Sequence, residues 1–130
     1  MERGLNESDI GEWTGRSIRW ALKRPEWQMV RRYPSGFRFP GGESFTEMQT
    51  RITSAVGGLV ARHPGETIVV VSNADPIKAV VAHALGIHLD LFQRIAIAPA
   101  SITAISYRAE TPLMLTLNSM NGDLAWLQTG

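Results

Sequence analysis

The residues best placed for chemistry are Ser72-Asn73-Ala74-Asp75, which follow the run Thr67-Ile68-Val69-Val70-Val71 without a break and lead through Pro76 into an apolar-periodic segment. A strand that turns straight into a helix presents the helix's first N–H groups, and the positive end of its dipole, to the space beyond the strand's carboxyl end. The amides around Ala74 would hold an anion there, most naturally a phosphate. Helix capping is the other reading, because Ser72, Asn73 and Asp75 are all types whose side chains satisfy helix-start donors. The three histidines, His63, His83 and His88, stand at no metal-ligand spacing, and there is no cysteine. Metal, thiolate and Fe–S chemistry are therefore not expected.

The elements that must position this turn are legible on either side of it. Asp75-Pro76 opens a helix whose apolar positions are Ile77, Val80, Val81, Ala84 and Leu85, and Gly86 ends it. His83 falls on the opposite, solvent face of this helix, and His88 lies in a turn. Upstream, Ser44-Phe45-Thr46-Glu47 is a capping box, and Phe45, Met48, Ile52, Ala55, Val56, Leu59 and Val60 recur at helical spacing until Pro64-Gly65. The β-branched run Thr67–Val71 lacks polar alternation, as a central strand covered on both faces would. Ile102–Tyr107 and Leu113–Leu117 alternate and read as an antiparallel pair at the sheet edge, after a short helical turn at Leu89–Gln93.

The front third is different in kind. Residues 1–15 are polar with no sustained period, short helices are expected over Arg16–Lys23 and Pro25–Arg32, and Tyr33–Gly42 should wander over the surface. Trp13, Trp20, Trp27, Tyr33, Phe37 and Phe39 concentrate there, as a small satellite core would.

Composition bounds the rest. The 130 residues carry 13 Lys+Arg against 12 Asp+Glu, a net charge of +1, so no strong field recruits nucleic acid or an anionic membrane. No apolar run approaches the ~20 residues of a membrane span, and a soluble, cytoplasmic protein is expected. No repeat or linker interrupts the chain, which reads as one domain over 1–130. Yet only about three strands are visible, too few to flank a buried central strand. The sequence thus points to something missing ahead of Met1.

Three stretches taken in order carry a resemblance. Leu5-Asn6-Glu7-Ser8-Asp9-Ile10-Gly11, then Pro40-Gly41-Gly42-Glu43-Ser44 leading into a helix with Arg51, then Val69-Val70-Val71-Ser72-Asn73-Ala74-Asp75-Pro76-Ile77-Lys78, resemble the histidine phosphatase superfamily, also called phosphoglycerate-mutase-like. The likeness is closest to its small bacterial phosphatases and probable phosphomutases. It implies an α/β fold, a three-layer sandwich whose mostly parallel sheet has an antiparallel edge. It also implies phosphoryl transfer through a phosphohistidine, with a phosphorylated small molecule as substrate and no metal or other cofactor. In such proteins a histidine in R-H-G attacks phosphorus, a second histidine and two arginines bind the phosphoryl oxygens, and a glutamate in L-x-E-x-x-x-G protonates the leaving oxygen.

Carried onto this chain, the resemblance makes Glu7 the acid; otherwise Glu7 is a solvated loop carboxylate. Asn73 stands where the second histidine belongs. It offers a hydrogen bond without a positive charge, a change worth about two to three orders of magnitude in rate by the usual size of single-donor losses. Ala74 supplies phosphate-binding amides. Ser101 falls at a loop near the pocket, or merely caps a strand start. Arg16, with Arg19 and Arg38, would reach a phosphate from a lid.

The R-H-G strand is not among these residues, and Arg62-His63-Pro64-Gly65 cannot replace it, because it ends a helix and precedes a strand. The resemblance therefore implies an N-terminally truncated, catalytically impaired domain. A non-catalytic phosphate-binding or interaction remnant, two copies of which pair through an exposed sheet edge, is the alternative.

Overall fold

A computed structural model describes residues 3–108 and 111–121. Six regular elements carry the fold: α1 (Ile18–Leu22), α2 (Trp27–Arg32), α3 (Phe45–Arg62), α4 (Ala74–Leu85), β1 (Ile102–Ser106) and β2 (Leu113–Ser119). Short 3-10 turns at Arg3–Leu5, Gly11–Trp13, Pro34–Gly36 and Leu89–Arg94 join them.

α3 forms where the capping box places it. Ser44 Oγ accepts from the Glu47 N–H at 3.0 Å, and Glu47 Oε1 accepts from the Ser44 N–H at 2.9 Å. Phe45, Met48 and Ile52 of the expected stripe are buried, whereas Ala55, Val56, Leu59 and Val60 are only half-buried. The inward half of α3 meets Ala79, Val81 and Ala82 of α4, with Leu89, Phe92 and Ile95 closing the core beneath. Side chains of the size of Phe45 and Phe92 contribute roughly 1.5–3 kcal/mol each on full burial.

The apolar face of α4 is rotated from the one expected. Pro76, Ala79, Val81 and Ala82 are buried, Ile77, Val80 and Ala84 are half-buried, and Leu85 is 46% exposed. Small alanines let α3 approach closely, and that contact selects the face. Gly86, at φ +70°, ends α4 in the left-handed conformation, and the Ile87 N–H donates to the Ala82 carbonyl at 2.8 Å.

Most of the front aromatics join the main core rather than a satellite cluster. Trp13 stands edge-on to Trp20 at 5.5 Å and to Phe39 at 5.3 Å, and the chain of rings continues through Phe45 to Phe92. Trp13, Phe37 and Phe39 are buried and Trp20 and Trp27 half-buried, whereas Tyr33 is 55% exposed.

β1 and β2 pair antiparallel as expected, with Ile105 opposite Met114 and Ser106 opposite Leu113. Tyr107 lies outside the pair and β2 continues to Ser119; the register shifts twice between Ile102 and Ile105, and Asn118, at φ +57°, accepts the Ala98 N–H on its Oδ1 at 2.8 Å. The expected central strand is not formed as a strand: Thr67–Val71 has no regular secondary structure, and its backbone makes no hydrogen bond among the described residues. Val69 is 89% and Val71 84% exposed. β-Branched residues favour extended backbone, but a strand exists only when a neighbour takes its ladder groups.

Candidate functional site

The turn after Thr67–Val71 and the loop carrying Glu7 meet. Ser72 Oγ donates to the Leu5 carbonyl at 2.6 Å, joining residues 67 positions apart. The loop reaches this place because the Arg3–Leu5 turn lies directly on α3: a Cβ on Gly4 would stand 2.5 Å from the Ala55 Cβ. Arg51, one turn earlier on α3, donates to the Gly4 carbonyl at 2.8 Å and to the Asn6 carbonyl at 2.9 Å. All three stretches that carry the resemblance therefore converge on one place.

Glu7 holds its own Ser8 N–H through Oε1 at 2.9 Å. Glu7 is exposed as a whole residue, yet partial desolvation of its carboxyl pushes it above the ordinary glutamate range, with the Asp75 carboxylate adding to the effect and the Ser8 N–H, Arg51 and Lys78 opposing it.

Asn73 is the N-cap of α4 with extended backbone, φ −102° and ψ 171°, and its exposed side chain makes no capping hydrogen bond. Ser72 is turned toward Leu5, and Asp75 toward Lys78, whose Nζ lies 3.8 Å from Asp75 Oδ1 and 3.2 Å from Gln93 Oε1. The capping alternative thus describes none of the three. Ala74 begins α4, where N–H groups have no intrahelical partner, and Pro76 removes one donor from that set. Burial raises the Asp75 carboxyl, and the neighbouring ammonium of Lys78 partly offsets this.

Most of the other expected side chains make contacts of their own. Ser101 Oγ donates to the Ala98 carbonyl at 2.7 Å, closing the turn before β1, with Ala100 at φ +60°. Arg16 stacks on the Trp20 ring at 5.0 Å, and Arg24 does so at 4.9 Å. Arg38 is committed to Glu47 at 2.6 Å and to the Gly42 carbonyl at 3.2 Å. Arg19 is exposed on α1.

Of the histidines, His63 ends α3 with Nδ1 3.3 Å from Glu66 Oε2 and borders an open groove of about 390 Å³ beside Leu5, Leu59 and Ile68–Val71. His83 is exposed, as expected, and His88 Nδ1 accepts from the Asp90 N–H at 3.0 Å. Among the described residues no group of side chains could hold a metal ion, and no helix is long and apolar enough to cross a membrane.

Sequence reading assigned no role to Glu43, Arg51 or Lys78. The recoverable signal was Glu43 and Arg51 astride the start of α3, since an acid just before a helix and a base two turns into it can meet across the first turns.

A family model describing the histidine phosphatase superfamily (branch 1) matches residues 1–120, and the chain belongs to that family. Among curated proteins, phosphoserine phosphatase 1 of Hydrogenobacter thermophilus is 28% identical over 127 residues, covering 90% of this chain and 56% of that protein. A bifunctional protein of Mycobacterium tuberculosis is 28% identical over 125 residues, covering 95% of this chain and 34% of its own length. The chain thus spans about a third to just over half of these relatives.

Among solved structures, Bacillus stearothermophilus YhfR superposes with a TM-score of 0.83 at 24% identity, covering 91% of this chain and 60% of YhfR. A phosphoserine phosphatase from Entamoeba histolytica in complex with 3-phosphoglyceric acid gives 0.80 at 19% identity, over 92% of this chain and 61% of that one. These likenesses establish the α/β, phosphoglycerate-mutase-like fold.

Proposed function

We propose that this chain carries the acid half of a phosphomonoesterase or phosphomutase site. A nucleophilic histidine would attack phosphorus, forming the N–P bond as the P–O bond to the leaving group breaks. Glu7 gives its proton to that oxygen, and water then releases phosphate from the phosphohistidine. The observation that carries this reading is the Ser72 to Leu5 hydrogen bond at 2.6 Å, which brings the Glu7 loop to the start of α4. Phosphatases of phosphoserine and of glucosyl-3-phosphoglycerate among the relatives support a phosphorylated small molecule as substrate.

Glu7 is the acid, Asn73 and the Ala74 amide meet the phosphoryl oxygens, and Arg16 and Ser101 join the substrate's phosphate by exchanging their present contacts with the Trp20 ring and the Ala98 carbonyl. We place this single domain in the cytoplasm, without metal, nucleic acid or membrane partner. No Arg-His-Gly occurs among the 130 residues and Asn73 brings no charge, so the chain by itself binds phosphate weakly and turns over negligibly. The test is hydrolysis of p-nitrophenyl phosphate by the 130-residue chain and by its Glu7→Ala and Asn73→Ala variants. Turnover that survives both substitutions defeats this account of the site. The mass of the native product in its source cell, together with the sequence upstream of the Met1 codon, tells whether an Arg-His-Gly segment is supplied in frame.

A second reading has its own observation. Thr67–Val71 exposes Val69 and Val71 beside backbone that is unpaired among the described residues, and two copies pairing along it would form a homodimer.

A further inference from the structure

The carbonyls of Gly4, Leu5, Asn6 and Glu7 are all held by side-chain donors. Ser72 takes Leu5, and the single guanidinium of Arg51 takes the other three, at 2.8, 2.9 and 3.4 Å respectively. The same guanidinium grips both oxygens of Glu43, Nε to Oε2 at 2.8 Å and Nη2 to Oε1 at 3.0 Å. All five donors of the fork are thereby engaged. Glu43 is tied back to the same loop: its Oε1 accepts from the Asp9 N–H at 3.3 Å, and its own N–H donates to the Asp9 carbonyl at 2.8 Å. The pair is well covered, with side chains 25% and 15% exposed, unlike a solvated surface ion pair.

Glu7 has no comparable anchor of its own. Among the described residues its carboxylate accepts one hydrogen bond, from the adjacent Ser8 N–H, so the carboxyl goes where the backbone of residues 4–7 puts it. We propose that Arg51 is a positioning residue of the site: with Glu43 as counter-charge, it fixes the backbone of residues 4–7 and so holds the Glu7 carboxyl against the start of α4. This rests on Glu7 being the acid, but the arrangement itself is testable independently of that role.

The test reads the pH titration of the Glu7 carboxyl carbon by NMR in the 130-residue chain, with thermal melts to confirm folding. The groups facing Glu7 are Asp75 and Lys78 from α4 and Arg51 from α3. Two roles for Arg51 predict opposite signs. As a bare positive charge it favours ionised Glu7, and Arg51→Gln would move the titration further up. As a clamp it keeps the carboxyl half-desolvated beside Asp75, and Arg51→Gln lets the loop rehydrate, dropping the titration into the ordinary glutamate range. The expected result is the drop. Arg51→Lys, whose ammonium cannot span Glu43 and three carbonyls, fails to restore it.

Glu43→Gln drops it part of the way and decides the matter if Arg51→Gln does not fold. An unchanged or higher Glu7 titration in the folded variants, or full rescue by lysine, overturns the proposal. Failure of the acid role is seen separately, as undiminished phosphatase activity of Glu7→Gln in the longest native product, and leaves the titration result standing.

Discussion

Asn73 is the residue on which the proposed chemistry of this chain turns. Its carboxamide stands at the N-cap of α4 without a capping bond, so it is available to an anion at the Ala74 amide yet brings no charge. Asn73→His would add a donor that becomes cationic at mildly acidic pH, and charged donors are worth about 1 kcal/mol more than neutral ones. We expect phosphate affinity to rise about fivefold to tenfold at pH 6 and the gain to fade as the imidazole deprotonates, read by 31P NMR titration. An affinity that does not change with this substitution would place the anion elsewhere. Glu47 gives a second test, of stability. The Arg38 guanidinium and the Ser44 N–H hold its carboxyl down at about 2. A carboxylate depressed on folding stabilises the fold above the ordinary glutamate range and loses that contribution as the pH falls toward 2. Melting temperatures measured at pH 6 and pH 3 should therefore fall less with acid in Glu47→Gln than in the parent, and added salt should shrink the difference on this exposed surface.

At the scale of elements, α3 is the part the site leans on. It packs the core with Phe45, Met48 and Ile52 and, a turn on, supports the Glu7 loop through Arg51 and Ala55. Gly4→Ala would set its new methyl 2.5 Å from the Ala55 Cβ, and overpacking of this kind costs about 1–3 kcal/mol. Denaturant unfolding should show that loss, together with a fall of the Glu7 titration as the loop lifts. Restoration by the double variant Gly4→Ala with Ala55→Gly would trace both effects to this contact. α3 was legible in the sequence because a capping box and a helical stripe are local signals. Arg51 was legible as a helix residue and not as a clamp, since three of its partners are backbone carbonyls, which every residue carries. The aromatics of residues 13–39 were equally ambiguous, because a ring's affinity for apolar surroundings does not say whether those surroundings are a core or a substrate.

At the scale of the molecule, the inward half of the α3–α4 layer is packed and the face near Leu59, Ile68 and Val69–Val71 is not. Val71→Lys, placing charge on the most ladder-ready segment, should lower any self-association of the chain in light scattering without lowering its melting temperature. A parent chain that is already a well-folded monomer would remove the homodimer reading.

The sequence by itself determined the helices, the antiparallel pair and the order of the three motif stretches, and motif order was enough to reach the family. Each of these is written in residue types a few positions apart, where caps, periods and turns act. Tertiary structure alone decided that Thr67–Val71 lacks a ladder partner among the described residues, that Ser72 turns to the Leu5 carbonyl, and that Arg51 closes on Gly4 and Asn6. Those contacts join residues 45 to 67 positions apart, and their acceptors are peptide carbonyls. A carbonyl carries no residue identity, so only the folded chain reveals which one a side chain reaches.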